Sequence, residues 1–122
     1  MAKKILVVDD TDDIRKVVVY ILKATGFEMF QAASGAEAVR VAKEQTPDLI
    51  ILDLHLPDME ADQIAQQIRS VPVMQNMPII FLTGSDDDVI LEKIKSVGAQ
   101  GYIKKPFVAD ELIMKVQSIL VS

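Results

Sequence analysis

Four apolar stretches of this chain each run directly into polar residues. The stretches and the residues that follow them are 5–8 before Asp9-Asp10, 49–52 before Asp53, 79–82 before Thr83, and 102–103 before Lys104-Lys105-Pro106. The carboxyl ends of parallel strands meet at the same edge of a sheet, and open α/β sheets bind their ligands there. If the stretches are parallel strands, three carboxylates, a hydroxyl and an ammonium group share one crevice.

Segments with helical periodicity separate the apolar stretches. They are 14–22, a segment from Ser34 to Pro47, 61–68, 86–97 and 112–120. In the first segment the apolar positions are Ile14, Val17, Val18, Ile21 and Leu22. Gly26 is expected to close this helix in a left-handed conformation, and Ser34 with Glu37 predicts a capping box at the start of the second. Strand and helix alternate five times, which is typical of an α/β domain with a parallel sheet.

The apolar content of the strands predicts their order. Residues 5–8, 49–52 and 79–82 are apolar on both faces, as expected for central strands that helices cover on each side. The candidates at 27–31 and 101–104 are mixed in character, which is typical of edge strands. We therefore predict a doubly wound, flavodoxin-like α/β fold with five parallel strands in the order 2-1-3-4-5 and five helices. Residues 1–122 are predicted to form one domain.

Composition excludes several classes of function. The chain has 122 residues with a net charge of −5, so a general nucleic-acid surface is not expected. It contains no cysteine, which excludes a disulfide scaffold, a thiolate metal site and a cysteine nucleophile. No apolar run approaches the length of a membrane span, and the start of the chain does not resemble a signal peptide. We expect a cytoplasmic protein with neither membrane nor nucleic-acid partners.

The predicted crevice suits a hard metal ion. The strand order reverses between the first and third strands, which brings Asp9, Asp10 and Asp53 to the same place. Three carboxylates at close range repel one another unless a cation compensates their charge. Mg²⁺ prefers oxygen ligands and commonly binds a few carboxylates together with a phosphate. We predict a Mg²⁺ site formed by these carboxylates, with the backbone carbonyl of His55 as a further ligand.

The same crevice has the groups needed to accept a phosphoryl group. Asp53 is the best candidate nucleophile, because carboxylates form acyl phosphates and a rigid central strand fixes its position. Phosphoryl transfer mainly requires positioning and neutralisation of the equatorial oxygens, which Thr83-Gly84 and Lys105 can supply. Lys105 precedes Pro106, and a cis bond between them is one way to direct the lysine into the crevice.

These motifs resemble the receiver domain of bacterial two-component response regulators, over essentially the whole chain. The motifs are Asp9-Asp10, the segment 53–59, Thr83-Gly84-Ser85 and the segment 102–107. The resemblance implies that Asp53 accepts a phosphoryl group from a phosphohistidine on a sensor histidine kinase or a phosphotransfer protein. It implies Mg²⁺ binding by Asp9 and Asp10 and contacts from Thr83 and Lys105 to the phosphoryl group.

The resemblance also implies how such a domain signals. Thr83 and Tyr102 would be the switch residues, and the rotamer of the Tyr102 ring would report phosphorylation. The expected protein is a signalling switch with weak autophosphatase chemistry and not a dedicated enzyme. A downstream effector is expected to bind the face formed by helix 4, strand 5 and helix 5. The chain ends with the fifth helix, so we expect either a stand-alone regulator or a receiver taken from a longer chain.

Three departures from the family pattern involve four positions. Ala61 stands where the family often has glycine, eight residues after the acceptor. His55 and Ser85 occupy the two positions that flank the phosphoryl group and influence its lifetime. Val108 offers no capping oxygen at the expected start of the fifth helix.

Plainer interpretations exist for individual residues. Asp9 and Asp10 alone could be acidic residues near a helix N-terminus, and Lys104 with Lys105 could solvate an edge strand. Tyr102 could be a half-buried edge aromatic without a signalling role. The combination of Asp53 with these residues at matching strand ends favours the functional interpretation.

Two other classes of protein share parts of the pattern. Phosphatases of the haloacid dehalogenase type use a similar Asp, Ser/Thr and Lys, but they carry a second Asp where this chain has His55. A flavodoxin-like flavin-binding protein would need a loop rich in Ser, Thr and Gly after the first strand to bind a phosphate. The acidic segment 9–13 would repel that phosphate. Both alternatives are therefore disfavoured.

Overall fold

The computed structural model describes residues 2–120, and it contains a five-stranded parallel sheet with helices on both faces. The strands are β1 Lys4–Val8, β2 Glu28–Ala32, β3 Leu49–Leu52, β4 Ile79–Thr83 and β5 Gly101–Lys104. The helices are α1 Asp12–Ala24, α2 Gly35–Gln45, α3 Ala61–Arg69, α4 Asp87–Val97 and α5 Ala109–Leu120, with a short 3-10 helix at Pro72–Met74. The strand order β2-β1-β3-β4-β5 confirms the predicted doubly wound topology.

Two apolar clusters lie on opposite faces of the sheet. One joins alternate residues of the central strands, such as Leu6, Ile50 and Phe81, to α2, α3 and α4. The other joins the intervening residues, such as Ile5 and Ile51, to α1 and α5. Because β1, β3 and β4 pack on both faces, their sequences are continuously apolar, as the sequence analysis predicted.

The edge strand β2 differs by one residue from its predicted position. It covers Glu28–Ala32, whereas the sequence predicted 27–31. Phe27 instead belongs to the end of α1, because its N–H donates to the Leu22 carbonyl. The ladder begins at Glu28, which pairs with Lys4 and donates its N–H to the Lys3 carbonyl.

Local capping explains where α1 and α2 end and begin. Gly26, with φ of 106°, provides the left-handed residue after α1. Ser34 accepts the N–H of Glu37 at the start of α2, as the capping box predicted. The carboxylate of Glu37, however, accepts the N–H of Ala33 and not that of Ser34, so the reciprocal bond is displaced by one residue. α2 then ends at Gln45, and the residue that caps it, Thr46, adopts a left-handed conformation with φ of 44°.

None of the helices within residues 2–120 is long and apolar enough to cross a membrane.

Adjacent valines of α1 provide a test of the packing. Val18 is fully buried between the helix and the sheet, whereas Val17 is 48% exposed although it follows the apolar spacing. Val18→Ala is expected to lower the free energy of unfolding by about 2 kcal/mol, because it removes buried methyl groups and leaves a cavity. Val17→Ala makes the same chemical change at the surface and is expected to alter it by less than about 0.5 kcal/mol. Urea denaturation followed by circular dichroism measures both values, and similar losses in the two variants would contradict the packing.

Candidate functional site

The sheet register places the first and third strand ends side by side. Val8 pairs with Leu52, and the N–H of Asp53 continues the ladder by donating to the Val8 carbonyl at 3.0 Å. Asp9 similarly donates its N–H to the Ala32 carbonyl of β2 at 3.2 Å. The backbone of both aspartates is therefore fixed by sheet hydrogen bonds.

The structure brings three predicted metal-binding carboxylates together. Oxygen atoms of Asp9, Asp10 and Asp53 all lie within 4.8 Å of one another. Asp9 is fully buried, Asp53 is 7% exposed and Asp10 is exposed to solvent. The cluster therefore has a closed side inside the sheet edge and an open side through which an ion and its waters can enter.

The ammonium group of Lys105 lies against this cluster. Its Nζ is 2.8 Å from Oδ2 of Asp9 and 3.8 Å from Oδ2 of Asp53. The backbone N–H of Lys105 donates to the Thr83 carbonyl. The Lys105–Pro106 peptide bond is cis, which is the geometry that the sequence offered as a way to direct the lysine into the crevice. The neighbouring Lys104 pairs with Asp87 on the surface instead.

The environment of Asp53 disfavours its charged form. Burial raises the pKa of its carboxyl above the ordinary 3.8, and the negative charges of Asp9 and Asp10 raise it further. The His55 N–H, which donates to Oδ1 at 3.2 Å, and the Lys105 ammonium lower the pKa, but the net shift is upward. Burial is the largest cause of this shift, and the Lys105 ammonium does not cancel it.

The donor set fits a hard divalent cation such as Mg²⁺. The carboxylate oxygens are the ligand type that Mg²⁺ prefers, and the exposed side at Asp10 leaves room for the waters that Mg²⁺ retains. A divalent charge would also stabilise the charged form of Asp53, which burial disfavours. His55 lies next to the cluster through its bond to Asp53, and its carbonyl stays a predicted ligand.

Thr83 ends β4 on the other side of β3 and is fully buried. Its hydroxyl donates to Ser85 Oγ at 3.1 Å, and it accepts the Ser85 N–H at 3.2 Å. Ser85 Oγ also forms a hydrogen bond with His55 Nε2. His55 and Ser85, the two positions expected to flank the phosphoryl group, are therefore in direct contact and lead to Thr83.

Sequence reasoning missed this contact and one further residue. His55 and Ser85 are 30 residues apart, and no periodicity or motif pairs them. Arg15 donates through Nη1 to the Asp9 carbonyl at 2.7 Å, and through Nε to Gln31 at 3.1 Å. Arg15 thus supports the loop that carries Asp9 and Asp10, although the sequence alone indicates only a polar residue of a helix.

The predicted switch residue Tyr102 is half-buried in β5, where it pairs with Phe81 of β4. It lines an open groove of about 870 Å³ between α4, β5 and α5. The groove is lined by Asp87, Tyr102, Ile103, Lys104, Glu111, Met114, Lys115 and Ser118. Met114 is 69% exposed, so the groove combines charged groups with an accessible apolar side chain.

Known proteins resemble this chain over almost its full length. The alkaline phosphatase synthesis transcriptional regulatory protein PhoP of Bacillus subtilis is 37% identical over 120 residues, which are 98% of this chain and 49% of PhoP. The chain thus spans about half the length of that relative. The chemotaxis protein CheY4 of Vibrio cholerae is 32% identical with a TM-score of 0.92, and the match covers 98% of this chain and 100% of CheY4.

A third relative was solved with a metal ion. The receiver domain of the sensor histidine kinase PA1611 from Pseudomonas aeruginosa is 30% identical with a TM-score of 0.90 over 100% of both chains. Its structure contains a magnesium ion coordinated in the active-site cleft. The family model of the response regulator receiver domain matches residues 5–117. The fold, the motifs and these matches agree: the chain belongs to the receiver domain family of two-component response regulators.

Proposed function

We propose that Asp53 accepts a phosphoryl group from a phosphohistidine in a Mg²⁺-dependent reaction, and that its phosphorylation switches the binding of a partner. The phosphodonor would be a sensor histidine kinase or a histidine phosphotransfer protein. The convergence of Asp9, Asp10 and Asp53 within 4.8 Å, beside the Lys105 ammonium, is the observation that carries this proposal. Residues 1–122 would act as a single receiver unit.

Each residue of the crevice has a defined role in the proposed transfer. A carboxylate oxygen of Asp53 attacks phosphorus while the N–P bond of phosphohistidine breaks; the bond electrons stay on the imidazole nitrogen, which takes a proton from solvent. The Thr83 hydroxyl and the Lys105 ammonium would each contact an equatorial oxygen of the phosphoryl group.

The metal site supports the same reaction. Asp9, Asp10, Asp53 and the His55 carbonyl would hold Mg²⁺, which when bound supplies charge neutralisation for the carboxylates and the phosphoryl oxygens. The raised pKa of the Asp53 carboxyl is consistent with this assignment, because burial and, to a smaller extent, the charges of Asp9 and Asp10 disfavour a carboxylate that a bound cation would stabilise.

The hydrogen bonds of Thr83 suggest how the switch operates. In the structure described here its hydroxyl donates to Ser85. A phosphoryl oxygen on Asp53 would compete for this single donor, because a charged acceptor forms the stronger hydrogen bond. The loop 84–86 would then lose one of its attachments, and the change would reach Tyr102 and the groove between α4, β5 and α5. We assign effector binding to this groove, as part of a two-state equilibrium.

The proposed role is a switch and not hydrolysis as a main activity. A phosphatase of the haloacid dehalogenase type needs a carboxylic acid two residues after its nucleophile. Here that residue is His55, whose ring is hydrogen bonded to Ser85. Without a carboxyl base for water at this position, the acyl phosphate would persist long enough to act as a signal.

Phosphorylation by a small phosphodonor tests the acceptor directly. Incubation with acetyl phosphate and Mg²⁺ is expected to add one phosphoryl group, detected by intact-protein mass spectrometry, and EDTA should abolish the gain. Asp53→Asn removes the nucleophile and should abolish labelling. Asp13→Asn changes an exposed aspartate at the start of α1 and should preserve it. Labelling that persists in Asp53→Asn, or that needs no divalent ion, would contradict the proposal.

Substitution of Asp53 is also expected to stabilise the metal-free fold. The raised pKa means that the charged form of Asp53 costs folding free energy above that pKa, and that the cost disappears as pH falls through it toward 3.8. In EDTA, Asp53→Asn should therefore have a higher urea midpoint than the wild type at about pH 7, and the difference should shrink at about pH 4. Added Mg²⁺ should raise the urea midpoint of the wild type more than that of Asp53→Asn, because only the native wild-type cluster binds the ion tightly. A variant less stable than wild type in EDTA would contradict this electrostatic account.

The chain offers a specific probe of the switch, because it contains only two tyrosines and no tryptophan. In a Tyr20→Phe background, which removes the 77% exposed tyrosine, all tyrosine emission comes from Tyr102. Phosphorylation is expected to change this emission and its quenching by iodide. Adding Lys105→Ala should preserve labelling at high phosphodonor concentration but abolish the emission change. Lys104→Ala removes a neighbouring surface lysine as the control and should preserve both; a full response in Lys105→Ala would refute the coupling role of Lys105.

A further inference from the structure

The loop that follows Asp53 is fastened to α2 by a side chain with no role in the chemistry described above. Asp58 accepts the N–H of Gly35 through Oδ1 at 2.8 Å and the N–H of Ala36 through Oδ2 at 3.0 Å. These bonds join residues that are 23 and 22 positions apart in sequence. They connect the loop 54–60, which carries His55, to the first turn of another helix.

The start of α2 depends on this carboxylate for part of its capping. The first amides of a helix have no partners within the helix itself. Ser34 accepts the N–H of Glu37, while Asp58 accepts the two amides that precede it. A carboxylate at a helix N-terminus is also favoured by the helix dipole. The same two N–H donors lower the pKa of Asp58, so the side chain stays charged in neutral solution.

Close packing beside these bonds limits movement between the loop and the helix. A Cβ added to Gly35 would lie 2.7 Å from Cβ of Met59, which is shorter than such contacts allow. It would also lie 3.1 Å from Cδ1 of Ile64 in α3. The backbone of α2 therefore rests directly on Met59, the residue after Asp58. Two consecutive loop residues hold the loop against the helix, one by hydrogen bonds and one by contact.

We propose that Asp58 is a positioning residue for the metal site: by binding the amides of Gly35 and Ala36, it holds the loop 54–60 so that the His55 carbonyl stays available as a ligand. This inference rests on the proposed function, since it concerns the same Mg²⁺ site. The geometry supports it at both ends of the loop. The His55 N–H is bonded to Asp53 at one end, and Asp58 is bonded to α2 at the other, with the buried Leu54 and Leu56 between them.

Loss of the Asp58 carboxylate should weaken Mg²⁺ binding without removing any ligand. Partners that orient metal ligands typically change metal affinity by about 10- to 100-fold when they are mutated. Because Asp58 acts through a loop on one neutral ligand, we expect Asp58→Ala to raise the Mg²⁺ dissociation constant by about tenfold, at the low end of that range. Isothermal titration calorimetry of the unphosphorylated protein with Mg²⁺ measures this value. Asp58→Asn retains one acceptor oxygen and should give an intermediate constant.

Ser34→Ala provides the matched control. It removes a cap from the same helix, but from the α2 side of the contact and not from the loop. A general weakening of α2 would affect Ser34→Ala and Asp58→Ala alike, whereas positioning of the loop predicts less than about a twofold change in Ser34→Ala. Equal weakening in the two variants, or wild-type affinity in Asp58→Ala, would overturn the inference. If Asp58→Ala does not fold, Asp58→Asn against Ser34→Ala decides by the same criteria.

Amide hydrogen exchange supplies a readout that a purely structural contact would not produce. If the bonds from Asp58 to α2 and the metal site are coupled, Mg²⁺ should slow exchange at Gly35 and Ala36 in the wild type by more than the general slowing that stabilisation of the whole fold produces, since coupling between two sites is reciprocal. In Asp58→Asn this slowing should be reduced. Exchange at these amides that is indifferent to Mg²⁺ in the wild type would overturn the coupling. A wild type that binds no Mg²⁺ would instead refute the proposed function itself, so the two failures are distinguishable.

Discussion

The structure depends on one electrostatic constraint, which is the gathering of three carboxylates at the ends of two neighbouring strands beside a single ammonium group. Asp9 and Asp53 are held by sheet hydrogen bonds and shielded from water, so they cannot move apart to relieve their repulsion. Lys105 reaches both, yet the pKa of Asp53 remains raised. Such an arrangement does not favour stability, because keeping the buried Asp53 carboxylate charged costs folding free energy. Its value lies in what it can bind.

The residues around the cluster serve mainly to keep this unfavourable arrangement in place. Arg15 binds the Asp9 carbonyl, the Thr11 N–H donates to Oδ1 of Asp9, and the His55 N–H donates to Asp53. All of these groups stand on loops or helix starts that follow strand ends, where a parallel sheet leaves backbone donors and side chains pointing the same way. Within residues 2–120, every buried side-chain nitrogen or oxygen atom has a hydrogen-bond partner. The energetic cost of the site therefore comes from holding charged carboxylates in a buried place, and not from missing hydrogen bonds.

The sequence predicts the fold well because the buried strands carry a strong and redundant signal. β1, β3 and β4 are apolar on both faces, which identifies them as central and leads to the strand order. β2 is displaced by one residue because the hydrogen bond from Phe27 to Leu22, which closes α1, is not encoded in apolar spacing. The pairings of His55 with Ser85 and of Asp58 with the first amides of α2 were not predicted, since they join polar loop side chains to groups 22 to 30 positions away in sequence. Such contacts arise only once the elements are packed together, and they produce no periodic pattern in the sequence.

The attachments of α4 are unequal, and this bears on how a change at Thr83 can spread. Near its C-terminal end, Arg69 of α3 donates to the carbonyls of Val97 and Gly98 and also to that of Met77. At its N-terminal end, Asp87 forms an exposed ion pair with Lys104, and exposed pairs of this kind contribute little. The loop 84–86 joins this end to Thr83. Under the proposed switch, a change in the hydrogen bond from Thr83 to Ser85 would therefore first reach the start of α4, which borders the groove that contains Tyr102.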